Sequence, residues 1–358
     1  LSDIDFNNGT LIPFTSSTSS SRIGLKSAFP EYHNEIDISK KAAPAKSREI
    51  GIDIMRLICA FEVVVSHAAP WHQPIPIWVT LMLCGCIPSV PFFFICAGYF
   101  LRLPSSFQFP ALGRPLTRLI TLYVFWVCIY IVLLKLTPVR PTYYQPGGWL
   151  TGGPAYHLWF IPALAFAMVY VTSGLLFLGP TITGFACIVP AVIASMTGSY
   201  HNLLHIPFHI QHTGQLVGPL YVYIGILLAK YPVSIKWRWL VPGLLLSYGL
   251  MVVEEIVVTR IGAEVPRVEI LSTFIVGILL FLAARSIGYN RVLEKISKLG
   301  QFALGIYAVH LFLLWIFLPI FGNNSPLLII EVSSLVFVLA TIVAIQLSYI
   351  PGLKRLVR

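Results

Sequence analysis

Apolar and polar residues alternate along this chain on the scale of whole helices. Ten apolar stretches, near 50–68, 76–101, 119–136, 156–178, 181–197, 215–230, 238–258, 270–288, 300–320 and 326–350, are separated by shorter polar segments. An apolar run of roughly 18 residues or more crosses the ~30 Å hydrocarbon core as a helix, a conformation that bonds its own backbone groups where no water can. The pattern predicts an all-α, polytopic integral membrane protein with ten transmembrane helices, of which the two shortest leave room for tilting or a break.

Ten crossings bring both ends of the chain to one side. Of the 24 Lys and Arg residues, 19 fall in the tail and in the alternate segments that share its side, three (Arg140, Arg260 and Arg267) fall opposite, and Arg56 and Lys135 lie inside predicted spans. Because Lys and Arg accumulate on cytoplasmic loops, both termini are expected in the cytoplasm. Hydrophobic residues at 57% and charged residues at 11% lie far from the balance of a soluble domain. The +10 net charge does not indicate nucleic-acid binding, since the excess sits at helix ends where anionic lipid and topology favour it. It suits contact with membrane lipid and leaves room for an anionic ligand on that face.

Residues 1–48 differ from the rest, with a hydroxyl-rich run from Thr15 to Ser21, three prolines (Pro13, Pro30 and Pro44) and scattered charges. Without an apolar core this stretch is not a signal peptide; it reads as a disordered cytoplasmic tail ahead of one membrane domain over 49–358. The chain opens on Leu1 rather than Met, as a trimmed or partial product would. All six cysteines (Cys59, Cys84, Cys86, Cys96, Cys128 and Cys187) lie in apolar stretches without the spacing of a zinc site. The segment His201…His205…His209…His212 is interrupted by Pro207 and has no nearby carboxylate, so no metal is expected there.

Ionisable groups inside a bilayer are costly, which makes each a candidate for function. The first helix is richest in them: Asp53, Arg56, Glu62 and His67. Arg56 and His67 are 11 positions apart, within about 20° of three full helical turns, so they share a face about 16 Å apart along the axis. Asp53 is an i,i+3 partner for Arg56. Two readings are open for this stripe. A ligand lies along it with an anionic end on Arg56 and a reactive end at His67, or Arg56 snorkels to lipid phosphate while His67 satisfies a carbonyl at the far interface. Glu62, about 140° from His67, suits a pairing with Lys135 or an inter-helix contact. Of the adjacent Glu254 and Glu255 in the seventh helix, one is expected to line a cavity.

An arginine followed after ten residues by a histidine, as in Arg56 and His67, resembles the signature of the first helix in the acyltransferase-3 family of integral membrane acyltransferases. Phe93-Phe94-Ile95-Cys96-Ala97-Gly98 is similar to that family's FFxxSG element, and Arg114 with Arg118 to its basic segment before the third helix. His157-Leu158-Trp159-Phe160 and Gly305-Ile306-Tyr307-Ala308-Val309-His310 resemble two later elements. The likeness runs in order from about residue 48 to 350. Three positions depart from it: Ala97 stands for serine, Arg114 and Arg118 are four apart rather than three, and Thr121 replaces a frequent proline.

The resemblance implies transfer of an acyl group, most often acetyl, from cytoplasmic acyl-CoA to a hydroxyl of an envelope or cell-surface glycan or glycolipid. Arg56, Arg118 and Arg114 would bind the phosphates of acetyl-CoA. His67 would act as general base on the acceptor hydroxyl, a role favoured over carrying the acyl group itself because direct transfer needs one site only. His157, Trp159, Tyr307 and His310 would line the acceptor site, with an interfacial aromatic belt the competing role for Trp159 and Phe160. Asp53, Phe93, Phe94 and Gly98 would support the site. A transporter of polysaccharide or small solutes is the alternative within the same family, although no internal repeat of the kind common in transporters is visible. An inactive scaffold is a third.

The orientation has a direct check. A single reporter cysteine within 198–214 or 261–268 should react with a membrane-impermeant thiol reagent on intact cells, whereas one within 231–237 or 289–298 should not. The opposite labelling pattern would reverse the topology.

Overall fold

The computed structural model describes residues 49–70, 76–101, 110–136, 148, 152–208, 214–260 and 270–357. These lie in the unit Arg48–Arg358; the expected tail over 1–48 and the loop residue His72 fall outside the described residues. Among the described residues every regular element is a helix, and helical segments stand at all ten predicted stretches. In chain order they are α1 (Ile50–Ala68), α2 (Ile77–Cys86), α3 (Ser89–Phe100), α4 (Pro110–Leu136), α5 (Phe160–Phe177), α6 (Gly179–Thr197) and α7 (Gly214–Lys230). There follow α8 (Trp237–Arg260), α9 (Leu271–Ser286), α10 (Arg291–Ser297), α11 (Ala303–Phe321), α12 (Pro326–Leu347) and the short α13 (Lys354–Val357).

Seven of these stretches are long and apolar enough to cross a membrane, which makes this an integral, multi-pass membrane protein. The three predicted spans that fall outside those seven do so for physical reasons. α7 and α9 are apolar but only 17 and 16 residues long, and α1, at 19 residues, holds Asp53, Arg56 and Glu62. The second predicted span is divided between α2 and α3 around Pro88, where proline lacks the N–H that would continue the ladder. α4 starts nine residues before its apolar run, so Arg114 and Arg118 occupy successive turns of one helix. A spacing of four therefore still keeps both on one side of it.

α1 is wrapped by α2, α3, α9, α10, α11 and α12. Buried side chains fall into two main cores, one centred on α3, α5, α6, α7 and α9, the other on α1, α4, α11 and α12. Phe93 and Leu119 pack against both. The most extensive helix–helix contact is that of α3 with α7. A Cβ on Gly98 would stand 2.0 Å from the Val222 carbonyl oxygen, and one on Gly225 would stand 2.1 Å from the Ile95 carbonyl oxygen. Two reciprocal glycines thus let the backbones touch, the usual solution in membranes, where apolar side chains gain nothing from leaving lipid.

Polar side chains tie the helices at defined heights. The Glu62 carboxylate of α1 accepts a hydrogen bond from the Ser89 hydroxyl of α3; Lys135, its other expected partner, is exposed on α4. Glu254 accepts from the Tyr200 and Ser272 hydroxyls and from the Leu271 and Ser272 amides at 3.1 and 2.8 Å. It caps the start of α9 from α8, satisfying donors that a helix N-terminus leaves open. Glu255 is 1% exposed.

The glycine contact generates a stability prediction. Gly98→Ala forces a methyl group into the α7 backbone and should destabilise the protein by about 1–3 kcal/mol, visible as a lower thermal midpoint in detergent. Gly249→Ala on α8, where a Cβ meets nothing within 4 Å, should be neutral or slightly stabilising. Equal midpoints for the two variants would contradict the packing account.

Candidate active site

At one end of α1, Arg56 and Asp53 form the expected i,i+3 pair, with Nη1 3.5 Å from Oδ1. The contact is long and leaves the guanidinium undersatisfied: Nε is buried and has no hydrogen-bond partner among the described residues. Arg118 of α4 lies within electrostatic reach of Arg56, and Arg114 is exposed one turn before it. The Arg56 guanidinium also lies over the Phe100 ring at 5.9 Å. On the far side of the same α3 terminus, Arg285 of α9 lies over the Tyr99 ring at 5.6 Å. Two cations thus stand at the end of α3, of which Arg285 had signalled only topology in the sequence.

At the other end, His67 occupies the last turn of α1. Its Nδ1 is 2.8 Å from the Val63 carbonyl oxygen. That acceptor requires a proton on Nδ1, so Nε2 holds the lone pair and is the basic atom. Among the described residues no carboxylate shares a hydrogen bond or ion pair with His67. Its orienting group is a backbone carbonyl. Ser66 donates to the same carbonyl at 2.8 Å.

Distant segments converge on this imidazole. The turn Tyr156–Trp159 is a single 3₁₀ turn leading into α5; positive φ angles at Gly152 and Gly153 precede it and deliver it into the bundle, as only glycine does readily. Ring centroids from His67 stand at 5.1 Å to His310 of α11, 5.5 Å to Tyr156 and 6.2 Å to His157, while His157 and His310 are 5.1 Å apart. The Tyr307 hydroxyl donates to the His157 carbonyl. Tyr130 of α4 donates to the Ala308 carbonyl at 2.9 Å and accepts from the Phe312 amide at 3.3 Å, which fastens α4 to α11 beneath the cluster. His310 donates from Nδ1 to the Tyr307 carbonyl at 2.7 Å.

Exposure separates the three histidines. His157 and His310 are 0% exposed, whereas His67 is partly open. Among the described residues the His310 Nε2 has no hydrogen-bond partner. The carbonyls of Tyr307 and Ala308 approach the His157 ring, but outside strict hydrogen-bond geometry. Among the described residues no group of three His, Cys, Asp or Glu side chains is arranged to hold a metal ion.

The other expected residues flank this cluster. Phe94 is fully buried, 4.7 Å from Phe160 between ring centroids, and Phe160 is 5.9 Å from Tyr307, so Phe160 faces into the bundle. Trp159 packs on Gly214 at the start of α7. Ala97 is half-buried against the first core. Tyr130 and Tyr156 had no signal in the sequence that set them apart from other aromatics of apolar runs; only the meeting of α1, α4, α5 and α11 singles them out.

The profile of a family described as an acyltransferase domain matches residues 49–352. Two curated proteins match part of the chain. A serine/alanine racemase of Enterococcus gallinarum is 31% identical over 135 residues, 34% of this chain and 19% of the racemase. An amino-acid racemase of Enterococcus faecalis is 29% identical over 139 residues, 36% of this chain and 20% of that protein. The matched stretch therefore spans about a fifth of either relative's length. No solved structure matches. With its helical membrane architecture and a family match over nearly the whole described region, this chain belongs to the acyltransferase-3 family of membrane acyltransferases.

Proposed function

We propose that the protein transfers an acyl group, acetyl in the first instance, from cytoplasmic acyl-CoA to a hydroxyl of a glycan or glycolipid on the opposite face of the membrane. The observation that carries this reading is the division of labour along α1: at one end an arginine whose buried Nε has no partner among the described residues, and at the other an imidazole whose Nδ1–H is held by a carbonyl, leaving the lone pair on Nε2. An anion suits the first end. Arg56 Nε is buried without a partner, and Arg118 places a second positive charge beside it, so a phosphate would relieve both repulsion and lost hydrogen bonding. Arg56, Arg118 and Arg114 are the proposed phosphate ligands, with Asp53 orienting Arg56.

The acyl-CoA supplies an activated acyl group. His67 Nε2 removes the acceptor hydroxyl proton as the oxygen–acyl bond forms, and returns it to the thiolate sulfur as the carbon–sulfur bond breaks. The Val63 carbonyl holds Nδ1–H throughout, keeping Nε2 aimed away from the helix. Helix dipoles direct their negative end toward the C-terminal turn, where His67 sits, and this favours the imidazolium that forms. The partial likeness to two proteins named as amino-acid racemases bears on the choice of acceptor. Serine, which has a hydroxyl, therefore belongs among the acceptors tested beside glycans.

Two substitutions test the proposal in purified protein. Arg56→Ala should weaken acetyl-CoA binding about tenfold to a hundredfold, the value of a charged hydrogen bond to phosphate, with Arg118→Ala weaker in effect. Unchanged affinity in folded Arg56→Ala would return Arg56 to a purely topological role. His67→Gln should lower transfer roughly 10²–10⁴-fold while acetyl-CoA affinity stays near wild type, and His72→Ala should remain active. A fully active His67→Gln variant would refute the base assignment and favour the transport reading.

A further inference from the structure

We infer that Arg285 binds the 3′-phosphate of coenzyme A, which makes the donor site selective for a complete CoA thioester over one lacking that phosphate. The inference rests on the reading of Arg56 as a ligand of the donor's phosphates and adds the residue that holds the far end of the nucleotide. Its carrying observation is a row of four side chains across the end of α3. The Arg56 guanidinium lies 5.9 Å from the centre of the Phe100 ring, the Phe100 and Tyr99 rings stand 5.2 Å apart, and Arg285 lies 5.6 Å from the centre of the Tyr99 ring. The row sets an upper limit on the separation of the two guanidinium groups. Each can reach a phosphate oxygen across a bond of about 2.8 Å, and the span that remains is one that a single ribose with a phosphate on each side covers.

Packing fixes the place of Arg285 in this row. The first turn of α1 lies against the last turn of α9: a Cβ on Gly51 would stand 1.9 Å from the Ala284 carbonyl oxygen and 2.7 Å from Ile287 Cβ. Arg285, the neighbour of Ala284, is therefore held at the base of the helix that presents Arg56. Its own bonding is incomplete for a group with five N–H donors. It meets the Val233 carbonyl at 3.4 Å and the Tyr99 hydroxyl, and among the described residues no carboxylate forms an ion pair with it. Glu49, just before α1, is within electrostatic reach of Tyr99 without pairing with Arg285, so the guanidinium keeps its charge and most of its fork for a ligand. The chemistry of the donor decides which phosphate that is. The pyrophosphate bears the pantetheine arm, so it belongs at Arg56, where the stripe toward His67 begins. The 3′-phosphate stands one ribose away and, as a phosphate monoester, carries nearly two negative charges at neutral pH. Arg285 is the cation at that remove.

The test measures binding of CoA and of 3′-dephospho-CoA to the purified full chain by isothermal titration. Wild type should bind CoA about tenfold to a hundredfold more tightly, the value of a charged hydrogen bond to phosphate. Arg285→Ala should abolish that preference. Its CoA affinity should fall by the same factor, while its affinity for 3′-dephospho-CoA stays within about twofold of wild type, which also shows that the variant is folded. Arg56→Ala should weaken both ligands alike and keep the preference. Equal affinity of wild type for the two ligands would overturn the inference without any variant. So would a preference that survives Arg285→Ala, as expected of an arginine that serves lipid phosphate or topology, or a loss in that variant shared by both ligands. Should wild type bind neither ligand, the donor reading itself fails and takes this inference with it. Should it bind both without preference, only the role of Arg285 fails.

Discussion

Everything in this molecule is arranged around one helix that hydrocarbon alone would reject. α1 holds Asp53, Arg56, Glu62 and His67 within 19 residues, and an unpaired charge in a bilayer costs several kcal/mol. Six other helices cover it, and each polar group is met differently: Asp53 by Arg56, Glu62 by Ser89, His67 by its own helix's carbonyl. Arg56 is the exception, since its Nε has no partner among the described residues. Three of the four polar groups are satisfied internally, and the fourth, with Arg118 within electrostatic reach, would suit the anionic donor proposed above.

Close backbone approach is what makes that covering tight. Gly98 and Gly225 bring α3 against α7, and this fixes the end of α3, where Tyr99 and Phe100 separate Arg285 from Arg56. The motif that ends α3 therefore works through its glycine. Ala97, one residue earlier, packs on the first core without a hydroxyl, and neither Arg56 nor His67 relies on that position for a contact.

Local geometry was legible in the sequence and tertiary convergence was not. The ten apolar stretches and the shared face of Arg56 and His67 follow from helix length and from 100° per residue, both properties of a single helix. Partners from other helices do not follow. Glu62 meets Ser89 of α3, because α3 and not α4 lies on that side of α1, and no periodicity contains that information. Glu254 lies at the start of α9 for the same reason. His157 and His310 were visible only as members of recurring motifs, 153 positions apart; that they meet each other and His67 is a consequence of Tyr130 and Tyr307 fastening α4, α11 and the 3₁₀ turn together.

With His67 as the proposed base, its orientation by a carbonyl has a physical logic in this setting. In water-facing enzymes a buried carboxylate commonly fixes a catalytic histidine and balances its positive form. Here a carboxylate would be a permanent charge at bilayer depth, unbalanced whenever His67 is neutral. The Val63 carbonyl fixes the tautomer without that charge. In the proposed reaction the helix C-terminus would supply stabilisation that grows only when the proton arrives. A base oriented by a carbonyl dipole would suit a low-dielectric site: in the proposed reaction it would store no charge between turnovers, and its electrostatic effect would fall on the interval in which the acceptor oxygen loses its proton.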